Sequence, residues 1–247
     1  MQLKKFIKAL LARTPYRIQS RAGVNRFQGI DECLRLLHAF GYRPQIIIDG
    51  GAHLGTFALE ALAVFPDAKI HMVEPQPACL PRLEALAAEK GFVLHPCMLT
   101  SEDEVARGGI ELTIEDVPTT GAHVYVEGDV ATKKTSVPLS TLDRLFAGRL
   151  AAESRTFLKL DLQGHDLWAL KGAAALLDVV EVVLTEVSFI GEALNPRVSK
   201  LIGFLDQKGF DLFDIASISA RLDKRAREGD FVFVRRGTPL LAETHWN

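Results

Sequence analysis

Acidic side chains stand at or near the ends of four apolar segments of this chain. Asp49 ends the run Ile-Ile-Ile-Asp at residues 46–49, and Glu74, Asp161 and Glu186 take similar places further along. Open α/β sheets bind their ligands at the carboxyl ends of their strands. Carboxylates gathered there can attract a cation, accept hydrogen bonds from hydroxyl groups or remove a proton. The pattern therefore predicts one ligand site assembled from several strand ends.

The residues of the turn after Asp49 favour one kind of cofactor over another. A dinucleotide loop has the form G-x-G-x-x-G, and aligning its last glycine with Gly55 puts Gly50 first but Ala52 second. A side chain then occupies the position at which the backbone must approach a pyrophosphate. Asp49 would also repel a diphosphate, whereas it suits a ligand with a positive amino group or sulfonium. S-adenosylmethionine (SAM) carries both, so the turn predicts a SAM loop; the alternative is a tight turn that binds nothing.

A second carboxylate supports the same cofactor. Glu74 ends the segment Ile-His-Met-Val-Glu one βαβ crossover after Asp49, and Pro75 then turns the chain. An acid at this place accepts both ribose hydroxyls of an adenosine, while the alternative is an ordinary surface glutamate. The predicted cofactor-binding residues are Asp49, Gly50, Gly51, Ala52, His53, Gly55, Glu74 and Pro75.

The segment Lys-Leu-Asp at residues 159–161 puts two charges on one face of a predicted strand. Lys159 and Asp161 are costly in a core strand unless they pair with each other or serve a ligand, and both alternatives stand. Glu186 ends the next predicted strand. For methyl transfer to a hydroxyl, we expect Asp161 or Glu186 to take or orient the proton, with Lys159 stabilising the developing oxyanion. Asp161 and Glu186 could instead hold Mg²⁺, which would acidify the hydroxyl, although no metal is predicted.

The elements that must position these residues alternate between strand and helix. Strands are predicted at residues 46–49, 69–74, 92–96, 156–162 and 180–187, and helices at residues 31–40, 55–65, 79–90, 167–177 and 197–208. This alternation predicts an α/β fold with parallel strands and helices on both faces of the sheet. Residues 210–216 and 231–235 predict a terminal, hairpin-like pair of strands.

Residues 101–140 interrupt the alternation. Short strands are predicted at residues 110–114, 123–126 and 135–139, around glycine and proline turns. We interpret them as an antiparallel insertion, or flap, over the mouth of the sheet, because a structureless loop of that length is uncommon. The chain then divides into an N-terminal helical extension, residues 1–44, and a ligand-binding domain, residues 45–247.

The composition excludes several classes of protein. The 29 basic and 31 acidic residues nearly balance, so no overall charge indicates a nucleic-acid partner. Cys33, Cys79 and Cys97 are an odd, scattered set, which argues against disulfides or a zinc site and fits a cytoplasmic location. No apolar run predicts a transmembrane segment, and the N-terminus does not resemble a signal peptide.

The N-terminal segment has its own charge pattern. Before the first acid, Asp31, it carries only basic charges, and apolar residues follow one face of a predicted helix. The basic residues are Lys4, Lys5, Lys8, Arg13, Arg17, Arg21 and Arg26. A basic amphipathic helix can contact an anionic membrane. We favour the alternative, a terminal helix that packs on its own domain or on another subunit of a homo-oligomer.

Several segments resemble, in the same order, the motifs of the FkbM-type SAM-dependent methyltransferases. The matching segments are residues 48–55, 73–75, 140–143, 158–166, 170–173, 185–187 and 230–234. Several motifs in register are more specific than any one of them. The sequence departs from the family pattern at His53, where asparagine is common, at Asp166, where glutamate is usual, and at residues 96–99, which replace an alanine-rich stretch. Residues 1–44 are not covered.

The resemblance implies a Rossmann-like class I fold with a mostly parallel seven-stranded sheet. It also implies O-methylation of a hydroxyl on a sugar, glycan or other natural-product small molecule, whose pocket we expect beneath the insertion. Two other functions are retained as alternatives. Ala52 and Asp49 count against an NAD(P)-dependent oxidoreductase, and the charged strand ends count against a SAM-binding module without turnover.

Overall fold

A seven-stranded sheet forms the centre of the protein in the computed structural model. The structure describes residues 29–114, 122–125, 133–150, 154–190, 197–220 and 223–242. The strands of these residues are β1 (Ile46–Gly50), β2 (Lys69–Val73), β3 (Val93–His95), β4 (Met98–Leu99), β5 (Glu111–Ile114), β6 (Lys133–Ser136), β7 (Leu139–Ser140), β8 (Thr156–Leu160), β9 (Val180–Ser188), β10 (Phe210–Ala220) and β11 (Ala226–Arg235). The main sheet has the order β10-β11-β9-β8-β1-β2-β3, and only β11 runs against the others. The predicted mostly parallel, seven-stranded Rossmann-like fold is confirmed.

Helices cover both faces of this sheet. The α-helices of the described residues are α1 (Ile30–Ala39), α2 (Thr56–Val64), α3 (Leu80–Lys90), α4 (Glu102–Arg107), α5 (Leu142–Phe146), α6 (Asp166–Lys171) and α7 (Val198–Gln207). Helices α1, α2 and α3 pack on one face with Ile47 and Phe157, while α5, α6 and α7 pack on the other with Ile48 and Leu158. Successive strand residues point to opposite faces, and both faces are buried, so the central strands are apolar throughout.

The predicted helix at residues 167–177 is shorter in the structure. It divides into α6 and a 3₁₀ turn at Leu176–Asp178. The backbone passes close to another segment at Gly172, where a Cβ would lie 2.2 Å from the carbonyl oxygen of Thr100. This tertiary contact has no counterpart in the local apolar period, so the sequence did not reveal where the helix ends.

The insertion is antiparallel, as predicted, but its elements differ. Strands β5 and β6 pair antiparallel, and Val124 bridges to Leu112. The predicted strand at residues 135–139 is divided, because Pro138 has no N–H to continue a ladder, and β7 instead pairs in parallel with β4. Helix α4 was not predicted, although Ser101 caps it by accepting the N–H of Glu104 and acids fill its first turn.

The N-terminal prediction is tested only in part. Helix α1 agrees with the helix predicted at residues 31–40. Residues 1–28, with the basic amphipathic segment, lie outside the described residues. Within the described ranges, no helix is both long and apolar enough to cross a membrane.

Candidate functional site

A cleft of about 660 Å³, open to solvent, lies at the carboxyl ends of the parallel strands. Its described lining residues are Gly51, His53, Val73, Glu74, Pro75, Gln76, Cys97, Met98, Leu99, Leu112, Ala122, His123, Val124, Asp161, Leu162, Gln163 and His165. The cleft therefore brings together the loop after β1, the end of β2, the insertion and the loop after β8.

The eight predicted cofactor residues divide into two groups. Gly51, His53, Glu74 and Pro75 line the cleft, whereas Asp49, Gly50, Ala52 and Gly55 lie behind its wall. Asp49, Gly50, Ala52 and Gly55 therefore determine the shape of the loop and do not line the ligand space.

The loop after β1 uses its N–H groups within the protein. Gly51 and Ala52 both donate to the carbonyl oxygen of Val73, at 2.9 and 3.1 Å, and His53 donates to Oε2 of Glu74 at 2.7 Å. A phosphate-binding loop needs such N–H groups directed at the ligand. Three consecutive N–H groups with protein acceptors therefore make this loop a poor site for a diphosphate.

The glycines of the loop are required by the protein's own packing. A Cβ on Gly51 would lie 2.0 Å from the carbonyl oxygen of Asp161, and one on Gly55 would lie 2.5 Å from Cδ1 of Leu86 in α3. Both glycines also have positive φ angles, +74° and +79°. At Gly51, the absence of a side chain lets the backbone of Asp161 approach closely.

Asp49 and Lys159 form a buried ion pair between adjacent strands. They lie opposite each other in β1 and β8, and Nζ of Lys159 donates to Oδ1 of Asp49 at 2.9 Å. Nζ also donates to the carbonyl oxygens of Gly50, at 3.2 Å, and Gly51, at 2.9 Å. Burial alone would lower the pKa of Lys159, but the carboxylates of Asp49 and Asp161 outweigh it and raise the pKa.

This pair corrects one alternative that we drew from the sequence. Lys159 does form a structural ion pair, but its partner is Asp49 rather than Asp161. Lys159 does not line the cleft, and a role at an acceptor oxygen would require it to leave three hydrogen bonds. Oδ2 of Asp49 is buried and has no hydrogen-bond partner among the described residues.

Glu74 is almost fully buried at the end of β2 and faces the cleft. Its Oε2 accepts the N–H of His53 at 2.7 Å, and its Oε1 accepts the N–H of Gln76 at 2.9 Å. Burial raises the pKa of Glu74, and these two backbone bonds oppose the rise. An ionised carboxylate has about four acceptor sites, so these two backbone bonds leave Glu74 able to accept a hydrogen bond from a ribose hydroxyl.

A row of acids crosses the top of the sheet next to the cleft. Asp161 follows β8 directly and lines the cleft, where the side-chain amide of Gln163 donates to it at 3.1 Å. Glu186 in β9 lies opposite Asp230 in β11 and is not a lining residue. Asp230 accepts a hydrogen bond from the hydroxyl of Ser217 in β10. Asp161 is therefore the one predicted catalytic residue that reaches the cleft surface.

The crowding of these acids changes their protonation. Burial, followed by the charges of Asp161 and Asp166, raises the pKa of Glu186 to about 9. Burial raises the pKa of Asp166 to about 7, and its Oδ1 accepts the hydroxyl of Thr185 at 3.0 Å. Among the described residues, no three His, Cys, Asp or Glu side chains are grouped so that they could hold a metal ion.

Replacing Glu186 with glutamine should stabilise the protein more at pH 8 than at pH 5. The folded protein keeps a proton on Glu186 up to about pH 9, whereas an unfolded glutamate releases it near pH 4.3. Because the folded state binds the extra proton between these values, wild-type stability falls as pH rises. Thermal unfolding at both pH values measures the difference. An equal effect at pH 5 and pH 8 would contradict the raised pKa, and Glu84→Gln on the exposed side of α3 is the matched control.

Some lining residues were not predicted from the sequence. Cys97, Met98 and Leu99 form an apolar wall, and Leu112 and Val124 of the insertion pack against Met98. Among the described residues of the insertion, Leu112 and Val124 therefore adjoin the wall after β3. Residues 96–99 depart from the family pattern in the sequence. That departure was the one sign that this wall would differ.

Two further lining residues have unusual backbone angles. His53 and Gln163 are non-glycine residues with positive φ, +48° and +50°, and they line the cleft from different loops. Such strain is common at functional sites, where the surrounding fold holds the backbone in place. His165 also lines the cleft.

Comparison with known proteins gives the following findings. The family model described as "Methyltransferase FkbM domain" matches residues 49–212. The FkbM methyltransferase of Methylobacillus flagellatus is 16% identical with a TM-score of 0.45, covering 76% of this chain but only 43% of that one. Aeropyrum pernix fibrillarin, solved with bound SAM, is 10% identical with a TM-score of 0.43, covering 77% of this chain and 66% of that one. A search of curated proteins found no match.

Proposed function

This chain belongs to the FkbM methyltransferase family, and on that basis we propose that it transfers the methyl group of SAM to a hydroxyl of a small molecule. The acceptor class that we propose is a sugar, a glycan or another natural product. The single observation that carries the choice of cofactor is the charge of the cleft: Glu74 and Asp161 line it, and none of its described lining residues is Lys or Arg.

That charge fits SAM better than a dinucleotide. A cleft with two carboxylates attracts a ligand with a sulfonium and an ammonium group, and it repels a pyrophosphate. The loop after β1 also has three consecutive N–H groups with protein acceptors, as shown above. An NAD(P)-dependent oxidoreductase therefore fits the site less well than a SAM-dependent methyltransferase does.

The described residues have distinct tasks in this proposal. Glu74 accepts the ribose hydroxyls, and Gly51 forms the wall beside the methionine part of the cofactor. Bound SAM supplies the methyl group and a leaving group that needs no protonation. Asp161 accepts or orients the proton of the acceptor hydroxyl, because it is the predicted acid that lines the cleft. Lys159 acts indirectly, by holding Asp49 and the carbonyl groups of the loop.

In methyl transfer from a sulfonium, the protein mainly aligns the reactants and excludes water. Leu112 and Val124 of the insertion supply apolar surface beside Met98. The net charge of –2 gives no reason to propose a nucleic acid as the acceptor, so we propose a small molecule. We also propose a cytoplasmic location, from the three free cysteines.

Isothermal titration with SAM, S-adenosylhomocysteine (SAH) and NAD tests the cofactor. We expect SAM and SAH to bind and NAD to show no measurable binding. Glu74→Gln should weaken SAM by about 10- to 100-fold, because each hydrogen bond to a charged group contributes about 1.5–3 kcal/mol. Glu84→Gln on the exposed face of α3 should bind SAM like the wild type.

The same titration decides against the proposal if NAD binds more tightly than SAM. Incubation with SAM and a panel of hydroxylated acceptors then tests turnover. Release of SAH with an acceptor is the expected result, and bound SAM without release in any acceptor mixture would indicate a module without catalysis.

A further inference from the structure

A tight turn just after β8 contributes Gln163 to the lining of the cleft. The N–H of His165 donates to the carbonyl oxygen of Leu162 at 3.2 Å and closes this four-residue turn. Its two central residues, Gln163 and Gly164, have φ angles of +50° and +90°. Positive φ at both central positions is the pattern of a type I′ turn. The turn therefore requires a left-handed backbone conformation of Gln163.

Glutamine is an unusual residue for this conformation. Type I′ turns favour asparagine, aspartate and glycine, because glycine lacks the Cβ that crowds a left-handed backbone and the two short polar side chains can hydrogen-bond locally. Glycine does occupy the second central position, at Gly164. The first position holds a residue that the local backbone does not favour, and such exceptions are common where a side chain serves a functional site.

The side-chain amide of Gln163 reaches the carboxylate of Asp161. Its Nε2 donates to Oδ1 of Asp161 at 3.1 Å, and both residues line the cleft. The backbone of Asp161 is held separately, since its N–H donates to the carbonyl oxygen of Gly50 at 3.1 Å and its carbonyl group packs against Gly51. These backbone contacts leave the carboxylate free to rotate, so the amide of Gln163 is what restrains it.

The surroundings of Asp161 offer no substitute for this contact. Within the described part of the chain, the amide of Gln163 is the one hydrogen-bond donor to the carboxylate. The ionisable groups that interact with Asp161 are Asp49 in β1, Lys159 in β8, Asp166 in α6, Glu186 in β9 and Asp230 in β11. Of these, Lys159 is the cation, and it is bound to Asp49. Loss of the amide would therefore leave the carboxylate of Asp161 without a defined orientation.

We propose that Gln163 is a positioning residue, which orients the carboxylate of Asp161 to receive the proton of the acceptor hydroxyl. This rests on the proposed function, in which that proton moves to Asp161 while the hydroxyl oxygen takes the methyl group and SAH leaves. Proton transfer needs the two groups within hydrogen-bond reach and correctly aligned. An amide does not ionise, so Gln163 donates a hydrogen bond to Asp161 without taking the proton itself.

Two variants of Gln163 separate positioning from a structural role. Gln163→Gly removes the amide but suits the turn, so its melting temperature should equal or exceed that of the wild type. Gln163→Met removes the amide and keeps the length of the side chain. With the panel acceptor that the wild type methylates, kcat of both should fall about 10-fold, while the KM for the acceptor and the dissociation constant for SAM stay within about threefold. Lys224→Gly is the control, because Lys224 also has a positive φ, +68°, and it should keep full turnover.

Wild-type turnover by both variants would overturn the proposal, and so would a melting temperature of Gln163→Gly below that of the wild type, which would make Gln163 structural. NMR of the side-chain amide of Gln163, assigned by its absence in Gln163→Met, tests the contact without an acceptor. Its resonances should move in Asp161→Ala, and unchanged resonances would also overturn the proposal. Failure of the wild type to bind SAM or to release SAH would instead contradict the proposed function, and the NMR measurement would still test the contact.

Discussion

Asp161→Asn should lower methyl transfer by at least about 100-fold while SAM binding remains within about threefold of wild type. Asp161 is the predicted catalytic acid that lines the cleft, and its carboxylate is held by the amide of Gln163 at 3.1 Å. Asparagine keeps the size of the side chain but cannot accept a proton. A loss confined to turnover is therefore expected, with kcat falling and the dissociation constant for SAM preserved.

The measurement combines SAH release with calorimetric titration of SAM on the same preparation. Asp67→Asn, in the exposed turn before β2, is the matched control and should retain full turnover. Full turnover by Asp161→Asn would remove both the general-base role and the alternative in which Asp161 holds a metal ion. In that case Glu186, which lies beside Asp161 but behind the cleft surface, would be the next residue to replace.

Lys159→Met should destabilise the protein by about 3–5 kcal/mol, the cost of leaving a buried charge without its partner. Lys159 is 5% exposed and Asp49 is fully buried, so water cannot replace the missing ammonium group. The carbonyl oxygens of Gly50 and Gly51 also lose a donor. For a chain of this length we expect the melting temperature to fall by about 6–20 °C.

A double variant distinguishes the effect of an unpaired charge on stability from the effect of changed side-chain packing. Asp49→Leu with Lys159→Met removes both charges, and it should be more stable than Lys159→Met alone. Chemical denaturation of the wild type, Lys159→Met and the double variant measures this difference in the free energy of unfolding. A melting temperature of Lys159→Met within 2 °C of wild type would show that the pair contributes little to the fold.

The strands and helices of the fold were largely predictable because their signal is local. The strand that contains Asp49 and the strands that precede Glu74 and Asp161 are present in the structure with boundaries shifted by at most two residues. The end of the helix after Asp166 was not predictable, because it is set by contact between Gly172 and the backbone of Thr100. Helix α4 was missed although its cap, Ser101, was visible in the sequence.

The sequence predicted where the acids of the candidate site lie, at the ends of strands, but it did not predict which side chains contact each other. Glu74 and Asp161 were expected at strand ends and do line the cleft. No local pattern assigned Lys159 to Asp49 rather than to Asp161, which is two residues from Lys159 in the chain. The contact of His165 with Thr100 was also not predictable, since this hydrogen bond joins residues 65 positions apart.

The sequence by itself determined that this chain builds a parallel α/β sheet with acids at its carboxyl edge, because strand period and terminal residue types are properties of short segments. Only the tertiary structure decided which strands are neighbours, and hence which charges meet. Asp49 and Lys159 are 110 residues apart and become partners because β1 and β8 are adjacent. A buried charge needs its partner within hydrogen-bond distance, and the order of the strands, which no local pattern encodes, sets that distance.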